Sequence, residues 1–274
     1  MRTRVLYARS DEWRALVKRA DQLIASPEFR VLKSEARTRA GFLDVAGAGT
    51  AFIKRVEVPS WTRGIVARIR GSRARRSLAG AAMLKAQGIA HPEPLAAMDL
   101  YQAGAIRASY LVSRALTDAD SLSRFMLGPG EIKGRNVRRR KKISDTVAAQ
   151  IRRFHESGLY TRDLQETNIM VEDDSAGGFN VYFIDLEDFR RAATVSWNRR
   201  VLNLVHLDRS IGRFLCRAAR LDFLYSYLGH RPDHAAARKM IAEIKAARES
   251  IDRSKRRDAA APKRLAVPLA RGTD

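Results

Sequence analysis

Cysteine is almost missing from this chain: Cys216 is the only one in 274 residues. No intrachain disulfide can form, no zinc site can be built mainly from thiolates, and a reducing compartment is the expectation. Long apolar runs are missing too. Nowhere do about 18 apolar residues follow one another, as a membrane-spanning helix requires. Met1 to Arg14 mixes charges with isolated apolar residues and has no unbroken apolar stretch of the kind a signal peptide carries. Aromatic residues make up only 7%, and no recognisable nucleic-acid motif stands among the basic clusters, so specific nucleic-acid binding has charge alone in its favour. Acidic residues are scarce: 30 Asp and Glu face 52 Lys and Arg, a net charge of +22. Such an excess attracts polyanions, whether nucleic acid, anionic membrane or phosphorylated substrate, and says nothing of fold. The expectation is a soluble or peripheral protein on the cytoplasmic side.

What is present suffices for a sizeable core, since 45% of the residues are apolar and the length allows one large domain or two lobes around a cleft. Trp13, Leu16, Val17, Ala20 and Leu23 recur at helical spacing from Asp11 to Ile24, with Asp11 placed to cap the start. From Phe29 to Val58, short β-branched and aromatic runs broken at Gly41 and at Gly47-Ala48-Gly49 predict three antiparallel strands, the last carrying Lys54. Ile65 to Gln87 reads as one helix with Arg68, Arg70, Arg73, Arg75 and Arg76, stopping at Gly88. Strands near Pro94–Tyr101 and Ala108–Ser113 follow. A segment rich in turn formers, from Thr117 through Gly128, Pro129, Gly130 and Gly134, reads as a hinge with a short helix. Ile143, Val147, Ile151 and Phe154, spaced by four, four and three residues, form one face of a long helix that ends at Gly158. Strands over Asn168–Glu172 and Asn180–Leu186 make a hairpin. Helices from Trp197 to Leu228 and from Asp233 to Ile251 precede a basic tail from Arg253 to Asp274 that is expected to be mobile.

The chemistry lies in an ordered series. Lys54 sits on a strand, Asp163 and Asn168 are five residues apart on a loop after a long helix, and Asp185 ends the strand Val181-Tyr182-Phe183-Ile184. Phosphoryl transfer needs little more than a carboxylate near the accepting hydroxyl, metal ligands, and a cation on the donor phosphates. Each residue alone has an ordinary explanation: an exposed lysine, a turn aspartate, a left-handed asparagine, a capping aspartate. Their joint order, with D-L-x-x-x-N spacing and an intervening hairpin, is that of a protein-kinase-like phosphotransfer site.

Phe154-His155-Glu156-Ser157-Gly158-Leu159-Tyr160-Thr161-Arg162-Asp163-Leu164, Asn168-Ile169-Met170-Val171 and Phe183-Ile184-Asp185-Leu186-Glu187 resemble the lipopolysaccharide core kinases, the WaaP-like Kdo and heptose kinases. Phe52-Ile53-Lys54-Arg55 and Gly88 through Ala96 are similar to that family's lysine strand and to the turn after its first-lobe helix. The resemblance spans roughly Val31 to Phe189. It implies a two-lobed α+β fold, with a small antiparallel-sheet N-lobe and a mainly helical C-lobe. The implied boundaries are a leading helix over 1–28, an N-lobe over 29–116, a C-lobe over 117–252 and a tail over 253–274. By the same resemblance Asp163 is the catalytic base, Asn168 and Asp185 hold Mg2+, and Lys54 contacts the α- and β-phosphates of ATP. The acceptor is a sugar hydroxyl of the lipopolysaccharide inner core, met at the cytoplasmic face of the inner membrane. Arg138-Arg139-Arg140-Lys141-Lys142 offers cations for anionic lipid or sugar phosphate, or a solvated helix face.

Four departures matter. Thr161 stands where protein kinases have the His of H-R-D. Leu186-Glu187 replaces Phe-Gly after the metal aspartate. Gln165 stands where a Ser/Thr kinase often carries lysine, which argues against a protein substrate. Most seriously, Arg68 to Gln87 holds no Asp or Glu, and Ser77 occupies the place of the helix carboxylate that orients the strand lysine. Glu57 is three residues along the strand and so on its other face, which leaves Asp185 or the phosphates to orient Lys54. The alternative is a pseudokinase that docks on membrane or a biosynthetic partner.

Overall fold

The computed structural model describes residues 1–128 and 137–260. Pro129, Gly130 and Gly134 of the expected hinge, and 261–274 of the expected tail, lie outside the described residues. The chain divides into two compact units, Met1–Arg231 and a second beginning at Pro232. The second contains the helix α9 (His234–Ala260). This helix runs through Arg253, where the basic tail was expected to begin; Ala, Lys and Arg are good helix formers and no Gly or Pro interrupts them.

The first unit opens with strand β1 (Arg2–Ala8), then α1 (Asp11–Lys18) and α2 (Ala20–Ala25). The single leading helix is therefore two short ones, preceded by a strand, and its cap is Ser10, whose Oγ accepts from Trp13 N, rather than Asp11. β1 escaped notice because its charged residues mask any alternation. It pairs antiparallel with β5 (Pro94–Gln102), so the sheet begins at Arg2. β2 (Arg30–Glu35), β3 (Thr38–Val45), β4 (Gly49–Glu57) and β6 (Ala105–Arg114) complete six antiparallel strands in the order β1-β5-β6-β4-β3-β2.

The expected strand break at Gly41 does not occur. Gly41 sits inside β3, where a Cβ would lie 2.2 Å from the Arg30 carbonyl oxygen on β2. It is glycine for close approach, and the turn falls instead at Ala36-Arg37. Gly47-Ala48-Gly49 is the β3–β4 hairpin turn, with Ala48 N donating to Val45 O at 3.0 Å. One sheet face packs Ala51 and Ile53 with Trp13, Val17, Ile24, Met98 and Tyr110. Side chains alternate along a strand, so Lys54 and Val56 fall on the other face. Their register partners there are Leu111 and Ser109 of β6.

That other face meets two helices, not the one expected. α3 (Trp61–Arg70) and α4 (Arg73–Ala86) are separated at Gly71, whose φ of 90° suits only glycine, and Ser72 caps α4 by accepting from Arg75 N at 3.2 Å. The arginines on either side hid the break, since they are equally at home in both helices. β7 (Asp120–Ser121) and α5 (Leu122–Leu127) lead to α6 (Val137–Glu156). As expected, Ile143, Val147, Ile151 and Phe154 of α6 are fully buried. Strands β8 (Leu159–Thr161), β9 (Ile169–Asp173), β10 (Phe179–Phe183) and β11 (Phe189–Arg191) follow, then α7 (Trp197–Ser210) and α8 (Arg217–Leu228). β9 and β10 form the expected hairpin. Phe154 meets Phe183 and Phe189 edge-on at 5.3 and 5.8 Å, fixing α6 behind the ends of β10 and β11.

Candidate active site

Two loops carry the expected site residues, and backbone pairing joins them at both ends. Phe189 of β11 is opposite Thr161 of β8, so the loop containing Asp163 starts where the segment after Asp185 finishes. At the other end Ile184 N donates to Asn168 O at 3.0 Å. Asn168 Nδ2 donates to the Asp163 carbonyl at 3.1 Å. Lys54 reaches across from the sheet, and its Nζ donates to Asp185 Oδ1 at 2.7 Å. All four residues singled out in the sequence are thus linked by one chain of hydrogen bonds.

Asp185 has φ 57° and ψ 54°, a left-handed conformation that only two non-glycine residues adopt among the described residues. An L-residue held there stores about 1 kcal/mol or more of strain, and persists only where its surroundings fix it. Here they are the bond from Lys54 and the pairing of Ile184 with Asn168. Gln165 has a part that sequence reasoning missed: its Nε2 donates to Asp163 Oδ1 and holds that carboxylate in place.

The missing helix carboxylate has a counterpart elsewhere. Ser77 of α4 does face the cleft, which Lys54, Val56, Arg73, Leu111 and Glu187 also line. Glu187 is buried, and Arg73 Nη1 and Arg76 Nη2 of α4 approach its two oxygens at 2.8 and 3.8 Å. The charges are reversed relative to the expected arrangement: the helix supplies the cations and the loop after Asp185 supplies the carboxylate. Burial pushes the Glu187 pKa up, while Lys54, Arg73 and Arg76 pull against that rise. Glu57 is occupied with Arg55 and Arg107, away from the cleft. The signal available in the sequence was the pair of arginines three apart on an acid-free helix.

α4 lies close enough to this loop that a Cβ on Gly80 would come within 2.1 Å of the Leu186 carbonyl oxygen. Because the obstacle is backbone, Gly80→Ala should lower stability by about 1–3 kcal/mol through overpacking. Chemical denaturation measures this, and an unchanged midpoint would show that the loop yields freely.

Behind the Asp163 loop is a buried polar network that also went unforeseen. The Asn203 side chain on α7 accepts from Thr161 N at 3.3 Å and donates to Thr161 O at 2.6 Å. His155 Nε2 lies 3.0 Å from Asn203 Oδ1 and its Nδ1 lies 2.8 Å from Tyr227 Oη. Since Oδ1 can only accept, Nε2 carries the proton and Nδ1 accepts from the tyrosine. Thr161 Oγ1 in turn accepts from Asp163 N at 3.3 Å. The loop therefore has support although histidine is absent from position 161. Only the fold brings Asn203 to Thr161 across 42 residues of chain.

Burial pushes the His155 pKa down to about 4 from 6.5. A histidine depressed in the folded state stabilises it fully above pH 6.5, and that contribution is lost as pH falls towards 4. At 1.36 kcal/mol per pKa unit the loss is about 3 kcal/mol. His155→Gln should flatten this acid limb between pH 6.5 and 4 in denaturant melts; an identical limb in both proteins would mean that other groups control it.

Two remaining expectations concern the surface. Among the described residues no helix is long and apolar enough to cross a membrane. In the basic run of α6, Arg139 pairs with Asp173 at 2.8 Å and lies over the Phe125 ring at 4.6 Å. Lys141 pairs with Asp145 at 2.7 Å and Lys142 donates to Gly177 O. Three of its five cations therefore have intramolecular work.

Comparisons with known proteins bear on the family and the fold. The model of the lipopolysaccharide kinase (Kdo/WaaP) family matches residues 62–227, more than half of the chain. Among solved structures, WaaP in complex with acyl carrier protein superposes with a TM-score of 0.63 at 20% identity, covering 89% of this chain and 99% of that one. The shared architecture is an antiparallel N-terminal sheet followed by a mainly helical region. No curated protein sequence matches the chain.

Proposed function

Because the chain belongs to the lipopolysaccharide kinase (Kdo/WaaP) family, we propose that it transfers the γ-phosphoryl group of ATP to a sugar hydroxyl of the lipopolysaccharide inner core, on Kdo or a heptose. The observation that carries this reading is the Lys54–Asp185 bond at 2.7 Å, continued through Ile184 and Asn168 to Asp163.

Asp163 is the base. Gln165 occupies Oδ1, leaving Oδ2 to take the proton of the sugar hydroxyl as its oxygen bonds to the γ-phosphorus and the bond to ADP breaks. Lys54 holds the α- and β-phosphates. Asp185 retains one carboxylate oxygen beyond that bonded by Lys54, and Asn168 offers its amide oxygen because its nitrogen is spent on Asp163 O. Hard oxygen donors of this kind fit Mg2+, and Asp188 stands beside them, its carboxylate within 4.8 Å of those of Asp185 and Glu187. A Mg2+ ion held by these oxygens would supply the positive charge that offsets the phosphates.

The competing reading, a pseudokinase that only docks, drew on the absent helix carboxylate and on Gly47-Ala48-Gly49, which does not spell the G-x-G-x-x-G phosphate loop of protein kinases. Glu187 brings a carboxylate to the same cleft within the field of Lys54, which favours catalysis. Thermal stabilisation by ATP with magnesium, followed by transfer of γ-labelled phosphate to inner-core glycolipid, tests the proposal. Stabilisation without transfer to any inner-core acceptor, or no stabilisation at all, contradicts it.

A further inference from the structure

We propose that α3 is an interfacial helix that seats the protein on an anionic lipid bilayer. The proposal rests on the reading above only for the purpose of that seat, since a membrane glycolipid must be met at the membrane.

α3 turns Gly64 inward and leaves three of its four large apolar residues, Trp61, Val66 and Ile69, exposed, with Ile65 half-buried. At roughly 3.6 residues per turn, Gly64 and Ala67 fall on one side, Thr62, Val66 and Ile69 on the other, and Trp61 at the edge between them. The inward side is tight: a Cβ on Gly64 would come within 2.5 Å of the Ile106 carbonyl oxygen on β6. Trp61, Val66 and Ile69 are 60%, 47% and 79% exposed. This inverts the usual amphipathic pattern, in which the apolar stripe of a helix faces the core.

The helix is anchored so that the stripe stays outward. Trp61 Nε1 donates to Ala103 O at 3.1 Å and Arg68 Nη1 to Gly104 O at 2.9 Å, both on the β5–β6 turn. The indole thus has its polar atom satisfied by protein and its ring left outside, which suits the headgroup level of a bilayer. Arg63 and Arg70 are exposed along one flank of the stripe. Between Glu57 and Glu93 there is no acidic residue and there are seven Lys and Arg.

An apolar stripe edged with arginines needs a partner that is both anionic and apolar. A nucleic acid leaves the stripe unmatched, and a second copy of this chain would set the same arginines against one another. An anionic bilayer matches both. α3 is followed, after the break at Gly71 and the cap at Ser72, by α4, whose Arg73 and Ser77 line the cleft. The seat therefore immediately precedes in sequence the helix that lines the cleft. It also carries apolar residues, which the basic run of α6 offers only in Val137 at its start.

The decisive test uses the full chain and vesicles of phosphatidylglycerol with phosphatidylcholine, which contain no acceptor sugar. Val66→Ser with Ile69→Ser leaves the charge unchanged and touches exposed positions, so folding should be retained. Vesicle partitioning should fall at least about tenfold. Trp61 emission should be quenched by bromine-labelled acyl chains, a change that Trp61→Phe abolishes. Equal binding by the double variant would show that charge alone acts and overturn the proposal. So would lipid-independent self-association, or capture of a soluble acidic protein without vesicle binding, that the same substitutions remove. If the wild-type chain ignores anionic vesicles yet is stabilised by ATP with magnesium, the seat is wrong and the kinase reading stands. If the substitutions act as expected while no glycolipid gains phosphate, the seat stands and the acceptor is wrong.

Discussion

Asp163→Asn is expected to lower the rate of phosphoryl transfer by about 10²–10⁴-fold, the range for loss of a positioned general base. Nucleotide binding should survive, because Lys54 remains bonded to Asp185 and the Asn168 amide is held by the main-chain carbonyl of residue 163 rather than by its side chain. Asparagine also keeps an oxygen for Gln165, so the loop should not collapse. The measurement pairs kcat with thermal stabilisation by ATP and magnesium. A fall in kcat alone supports the assignment. Loss of stabilisation would mean that Asp163 acts in binding, and an unchanged kcat would remove it from the reaction.

Glu187→Gln should produce the second large effect, a fall in kcat of about ten- to a hundredfold, through misplacement of the segment after Asp185. Glu187 acts as a positioning residue: it ties that segment to α4 through Arg73 and Arg76. Arg73→Leu should act in the same direction but less strongly, since Arg73 is half exposed and Arg76 remains. The two changes together should be no worse than Glu187→Gln alone, because they break one link. Fully additive losses would show that the residues act separately. A fold effect alone would lower the melting temperature with kcat intact, so kcat is the readout that distinguishes positioning from packing.

The contrast between Asp163 and Glu187 shows where the sequence was informative. Asp163, Asn168 and Asp185 could be found because their roles depend on order and spacing along the chain, and the hairpin between them is local. α6 was legible for a similar reason: four apolar residues on one face need only helical periodicity. In the sequence Glu187 was part of the family resemblance and a departure from Phe-Gly, with no role attached to it. Its importance lies in arginines on α4 that are more than a hundred residues earlier. Asn203 is a plain polar residue in a helix until α7 brings it to Thr161. The break between α3 and α4 was hidden by arginines on both sides, although Gly71-Ser72 is a stop followed by a cap. β1 was unreadable because a strand at the edge of a sheet needs little apolar alternation.

The same comparison accounts for the basic charge. Read along the chain, Arg138 to Lys142 was the conspicuous cluster, yet Arg139, Lys141 and Lys142 turn to Asp173, Asp145 and Gly177. α3 has a less conspicuous sequence, and its outward apolar residues are visible only once Gly64 is seen against β6.

On the proposed reading, the Lys54, Asp163, Asn168 and Asp185 site phosphorylates an inner-core sugar. The most direct test of this reading is the mass of inner-core glycolipid after incubation with ATP, magnesium and the protein, with Asp163→Asn run in parallel. The glycolipid should gain one phosphoryl group, and this gain should be lost or nearly lost with the variant. An unmodified glycolipid with the wild-type chain, or equal phosphorylation by both proteins, would contradict it.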